Sequence, residues 1–235
     1  MAQLGSRLFF LVMDAGTTST IEDMMKSHSD PQSYGDKVKL CQKEVGGFVG
    51  NLFTQFGGVR GVHWNAQGDP KEVLERIAQC ASLLAVMRTP IPKDESMTPQ
   101  PEMPLRANSV LYNLARGRAL VYGRTQLSVE DLRMVVRVAV SSIPQEPRKV
   151  FLALAKNGGQ PLTVKQIENT GVGSRHTAER GMKALDRLGV MKFVSEGTGK
   201  AAHLSIRPEW AWCMAPDFRA LLLEGTTWQE SGDES

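Results

Sequence analysis

What this chain has little of narrows its chemistry first. Its three cysteines, Cys41, Cys80 and Cys213, are odd in number, widely separated and without a CxxC pair. Such spacing supports neither a disulfide framework nor a zinc site, and predicts reduced, mostly packing thiols in a cytoplasmic protein. The four histidines, His28, His63, His176 and His203, show no HExxH or paired spacing, so no metal site is expected. No GxSxG elbow and no pair of catalytic carboxylates stands out. The GTGK run at Gly197 to Lys200 lacks the first glycine of GxxxxGK, where Val194 stands, and Ala201 replaces the Ser/Thr that should follow. It reads as a turn rather than a phosphate loop. Long apolar runs are missing too. LFFLVM, Leu8 to Met13, follows Arg7 as a secretory core would, but it is six residues long and ends at Asp14. That is too short for a signal peptide and far too short for a membrane span.

What is present is a balanced composition in 235 residues, with 41% hydrophobic and 23% charged side chains and a net charge of +3. This suits a globular chain of two or three small domains. LFFLVM does not alternate, so as a strand it would be buried on both faces, either beside strands the chain does not encode or beneath the helices that follow. Residues 1–35 are therefore assigned as an apolar strand and a polar linker. A first helix is predicted from Lys37 to Gln55, with Val38, Cys41, Val45, Phe48, Val49 and Leu52 on its apolar side, weakened by Gly46, Gly47 and Gly50. Asp69-Pro70 should cap and start a second helix, to Arg88, that buries Val73, Ile77, Cys80, Ala81, Leu84 and Met87. Prolines from Pro90 to Pro104 mark an extended linker. Further helices are predicted over 106–121 and, behind a Ser128/Asp131 capping box, to Val140. These make a helical domain over 36–143.

The stretch from Pro161 to Arg207 carries the clearest pattern. Thr163 caps a short helix, NTGVG supplies a turn, and Ser174 caps a second helix that ends at Leu188 before Gly189. VMKFVS and HLSIR then read as two strands of a hairpin, with Lys200 at its tip. A helix-turn-helix followed by a hairpin is a winged helix, assigned with its leading helix (Pro147 to Lys156) and a C-terminal helix to 144–224. The last of these, broken near Pro216, should pack through Trp210, Trp212 and Phe218 against the winged helix. Residues 225–235 form an acidic tail.

On the second helix of this unit Ala178, Met182, Leu185 and Leu188 should face the core, while His176, Arg180, Lys183 and Arg187 form a basic stripe. Thr163 to Arg207 holds eight Lys/Arg against four Asp/Glu, a net +4 where the whole chain has +3. Charge concentrated in this unit rather than spread over the chain points to duplex DNA. Ser174, Arg175 and His176 are placed to enter a major groove, Arg180, Lys183 and Arg187 to meet phosphates, and Lys200 to touch an adjacent backbone.

Two stretches also resemble a known family. LGSRLFFLVMD is similar to the segment of AAA+ ATPases of the minichromosome-maintenance and MoxR-like branch in which an L-x-S-R-F arginine-finger motif runs into an apolar strand ending in Asp, although Leu8 stands at the Phe position. PLRANSVLYNLARGRALVYGRTQLSVEDLRMVV resembles the lid helices of that branch, which a winged helix commonly follows. The resemblance implies that Arg7 is an arginine finger and Arg106 the sensor 2 arginine. The Walker A and B motifs, sensor 1 and most of the core sheet are missing. The expectation is therefore a mainly α protein, a lid-like helical domain followed by a DNA-binding winged helix, with no enzyme activity and no cofactor of its own. It would be the C-terminal portion or a non-catalytic partner of an AAA+ motor, using ATP only when another chain supplies the nucleotide core. Two other readings stay open: a free-standing winged-helix regulator that associates with itself through its N-terminal helices, and a protein-docking adaptor.

Overall fold

The structure is a computed structural model that describes residues 9–10, 21, 25, 33–92, 94, 96–194 and 202–223. Arg7, most of LFFLVM, Lys200 and the acidic tail lie outside the described residues. The fold is mainly helical, with one three-stranded antiparallel sheet.

Helix α1 spans Tyr34–Gln55 and begins three residues earlier than periodicity predicts, because the Ser33 hydroxyl accepts a hydrogen bond from the Asp36 N–H. None of its residues is buried. Val45, Phe48 and Val49, expected on a covered side, are 61%, 52% and 40% exposed. Helical spacing decides which side chains share a face; it does not supply what covers them.

Three helices, α2 (Lys71–Met87), α3 (Leu105–Val121) and α4 (Leu132–Ser141), pack on one another around Ile77, Leu84, Leu111, Val135 and Val136. Asp69 does not cap α2, whose N-cap is Pro70 without a side-chain hydrogen bond. Its carboxylate turns away to accept from the Tyr112 hydroxyl at 2.6 Å, the Leu127 N–H at 2.8 Å and Trp64 Nε1 at 3.1 Å. Three buried or half-buried donors, two of them from distant parts of the chain, outweigh the single bond a cap makes. Burial and the bond to Asp69 push the Tyr112 phenol up from its ordinary pKa.

The loop from α3 to α4 closes on a second carboxylate. Ser128 and Asp131 form the capping box that the spacing predicts. Asp131 is fully buried, and Arg124 grips it with two bonds of 2.8 Å while Arg118 adds a third at 2.8 Å. The Ser128 N–H adds a fourth bond, at 2.9 Å.

The chain then turns at Pro144 into α5 (Gln145–Lys156), the short strand β1 (Leu162–Thr163), α6 (Val164–Ile167), a π-type turn (Glu168–Val172) and α7 (Arg175–Arg187). Strands β2 (Met191–Val194) and β3 (His203–Ile206) pair in register, Met191 opposite Ile206 and Phe193 opposite Leu204. β1 adds to the far side of β3 through Leu162 and Leu204, giving the order β1-β3-β2. Two residues are too few to show a period, so β1 has no sequence signature. A 3-10 segment (Pro208–Met214) leads into α8 (Pro216–Leu223). This last helix packs on α4 and α5 rather than on the hairpin region alone. Trp212 and Phe218 meet edge to face at 5.1 Å, and the Arg76 guanidinium of α2 lies over both rings while pairing with Asp217. The buried core is continuous from α2 through α8.

Phe9 and Phe10, from the apolar N-terminal run, form no strand. The Ser142 hydroxyl at the end of α4 accepts from the Phe10 N–H at 2.8 Å, and Phe9 packs against the core beneath the Arg88 guanidinium. The helices partly cover Phe9, while Phe10 is 52% exposed, so this part of the run is not buried on both faces.

Burial pushes the Asp131 carboxyl up, but the bonds from Arg124, the Ser128 N–H and Arg118 outweigh it and hold its pKa below the ordinary value. With the folded pKa depressed, the stabilisation is present above the unfolded value, about 3.9, and is lost as pH falls through the folded one. Asp131→Asn should therefore cost about 3 kcal/mol at pH 7 in urea unfolding, and the gap to the parent should shrink steadily below about pH 4. A gap independent of pH would show that the charge contributes nothing.

Candidate nucleic-acid interface

The approach to α7 is built by two caps. Thr163 Oγ1 accepts from the Gln166 N–H, and the Gln166 side chain accepts from the Thr163 N–H at 2.8 Å, so α6 starts on a complete capping box. Gly171 and Gly173, at φ values of 77° and 137°, turn the chain between the helices in a region that side-chain-bearing residues rarely enter. Ser174 then caps α7, accepting from the Thr177 N–H at 3.3 Å.

One face of α7 carries Ala178, Gly181, Met182 and Leu185, all buried. Gly181 sits where α7 crosses α5: a Cβ there would lie 2.7 Å from Val150 Cγ2. At the other end Gly189, with φ 73°, closes the helix through bonds from its own N–H to Asp186 and from the Val190 N–H to Leu185. Arg207 ties the hairpin to α7, bonding Asp186 at 3.1 Å and the Met191 carbonyl at 2.9 Å.

The outward face holds the basic stripe, and its members differ in what they can offer. Arg175 and His176 are exposed in the first turn and make no ion pair with a described residue. The Ser174 hydroxyl is exposed but is used as the cap. Lys183 is 60% exposed and pairs with Glu179 at 2.9 Å; hydrogen bonding and charge from Lys183 hold the Glu179 pKa low. Arg180 grips Glu146 of α5 through Nε and Nη2. Arg187 is half-buried and donates to the carbonyls of Pro92, Asp94 and Met97, which fastens the proline-rich linker to α7. The stripe expected to meet phosphates therefore gives up its C-terminal end to an intramolecular contact, because the carbonyls of an extended linker are strong acceptors for a guanidinium. Lys200 lies outside the described residues.

Two cations that sequence reading passed over lie close by. Lys149 and Lys156 of α5 border a shallow cleft of about 180 Å³ against Thr170, Gly171 and Val172 of the turn before α7. Their seven-residue spacing, two helical turns, was the available signal. Arg106 is exposed in the first turn of α3. Among the described residues no group of three or more His, Cys, Asp or Glu is placed to hold a metal ion, and no helix is long and apolar enough to cross a membrane. Burial pushes the Cys80 and Cys213 thiols up to about 12, whereas Cys41 is exposed. No protein-family model, curated protein or solved structure matches the chain.

The crossing that presents α7 makes a sharp pair of expectations. Gly181→Ala should lower stability by about 1–2 kcal/mol by forcing α5 and α7 apart. Gly117→Ala, in α3 where an added Cβ meets nothing within 4 Å, should raise it by about 0.5–1 kcal/mol. Thermal denaturation of both variants checks this; equal shifts of the same sign would contradict the packing.

Proposed function

We propose that the chain binds duplex DNA through a winged helix formed by α5, α6, α7 and the β1-β3-β2 sheet, with α7 as the recognition helix. The observation that carries this is the presentation of α7. Its apolar face is wholly buried, its first turn is capped and open to solvent, and Arg175, His176 and Lys183 are exposed on the outward side. Arg175 and His176 are assigned to base edges, and Lys183, with Lys149 and Lys156 beyond the turn, to phosphates. Arg187 is assigned to holding the linker instead.

The α2–α4 unit is proposed as the counterpart of an AAA+ lid, making the chain a C-terminal portion or a non-catalytic partner of such a motor. An exposed Arg106 at the start of α3 supports this, since an arginine there is open to a nucleotide held on another chain. Arg7 would act as the finger in the same assembly.

The test is the salt dependence of duplex binding by the full chain. Replacing Lys156 and Lys183 together by alanine should flatten the plot of log affinity against log salt by about two units, whereas Arg187→Ala should leave the slope unchanged and lower thermal stability. A slope that changes with Arg187 alone would move the contact surface to the linker side.

The regulator reading is favoured by one specific feature. Val38, Cys41, Val45, Phe48 and Leu52 follow one another at alternating spacings of three and four, the seam of a paired helix, and no residue of α1 is buried. If two copies pair in parallel through α1, Cys41 faces its counterpart. Mild oxidation should then give a disulfide-linked dimer that Cys41→Ser abolishes, since the other two cysteines are buried. A chain that stays monomeric on reducing-free gels and in sedimentation would remove the regulator reading.

A further inference from the structure

A groove of about 480 Å³ runs where the end of α2, the linker behind it, the start of α5 and the side of α7 meet. Its walls are largely apolar: Met87, Ile91, Pro144, Pro147, Ala184 and Leu188. Its polar boundary is strongly cationic, with Arg88, Arg180, Lys183 and Arg187 against the single carboxylate of Glu146. We propose that this groove is a binding site for a small amphipathic carboxylate, whose apolar body lies against the proline and aliphatic wall and whose carboxylate takes the Arg180 guanidinium from Glu146.

Three features of the groove select that ligand. The volume is in the range of small-molecule sites, which favour seams between structural units and combine apolar walls with a few convergent polar groups. Four cations line the groove against the one carboxylate of Glu146; Lys183 also pairs with Glu179 at 2.9 Å, so Arg180, whose partner Glu146 itself lies in the groove, is the cation placed to take an anionic head. The head is a carboxylate because Arg180 already holds one in its fork, through Nε at 3.0 Å and through Nη2 to the other oxygen of Glu146. That pair is open to exchange: the Arg180 and Glu146 side chains are 56% and 45% exposed, so Glu146 can return to water when a ligand displaces it. The opposite wall is held in place. Arg187 binds the carbonyls of Pro92, Asp94 and Met97, and the Thr89 hydroxyl donates to the Ala85 carbonyl at 2.9 Å, which keeps the segment bearing Ile91 against α2.

The site does not depend on the DNA reading, although Lys183 belongs to both surfaces. Isothermal titration of the full chain with octanoate tests it. Saturable binding is expected, with a Kd on the order of 100 µM. Glu146→Gln, which removes the competing carboxylate, should tighten binding by about threefold or more, and Arg180→Met should weaken it by about tenfold. Ala184→Phe, which fills the groove, should abolish it; circular dichroism confirms that each variant is folded. Octanoate that fails to saturate, or whose affinity is unmoved by Glu146→Gln and Arg180→Met, overturns the proposal. So does binding of octyl phosphate without octanoate, because the fork would then select a phosphate. A labelled duplex titrated in parallel separates the two surfaces: octanoate binding with these variant effects but no duplex binding upholds the groove and removes the DNA reading.

Discussion

The first half of the molecule depends on a buried carboxylate. Asp131 has no exposed surface, and an isolated charge there would cost several kcal/mol in desolvation. It is tolerated because Arg124 and Arg118 approach it while remaining partly in water, with 27% and 22% exposure, and because the Ser128 N–H completes the set. The arginines come from the end of α3 and the loop after it, the acid from the start of α4. One ion cluster thus fixes the angle between two helices and the path of the loop between them. Asp69 does the same work on the other side of that loop, tying Leu127 to Trp64 and Tyr112.

From α4 the constraint is passed on by packing. The core does not break at the Pro144 joint, and α8 returns across α4 and α5 to place Trp212 and Phe218 beneath Arg76 of α2. The two halves are therefore held together at the C-terminal helix and again at Arg187, which clasps the linker from the other side. The close crossing at Gly181 sets how far α7 stands off α5, and so how much of its outward face meets solvent.

Charge on α7 shows why a basic stripe is not by itself a binding surface. Arg180, Lys183 and Arg187 all lie on the outward side, yet each has a different partner: a carboxylate of α5, a carboxylate one turn back, and the linker carbonyls. The first turn, with Arg175 and His176, is left open to solvent. The same arrangement walls the cationic groove with side chains already matched to oxygen acceptors.

Much of the local structure was legible in the sequence. Hydroxyl residues ahead of helices, Thr163, Ser174 and Ser128, cap where expected, and the buried face of α7 matches its periodicity, because caps and amphipathic faces depend on residues within one or two turns. The hairpin strands were legible for the same reason. The sequence could not tell that Asp69 would leave its own helix to bond Leu127, 58 residues away, that α1 would keep its apolar side uncovered, or that Arg187 would turn to the linker. It also gave no sign of β1, whose two residues are defined only by the strand they meet. Each of these was decided by which distant groups came within hydrogen-bonding or packing distance once the chain had folded, and a local pattern carries no record of that.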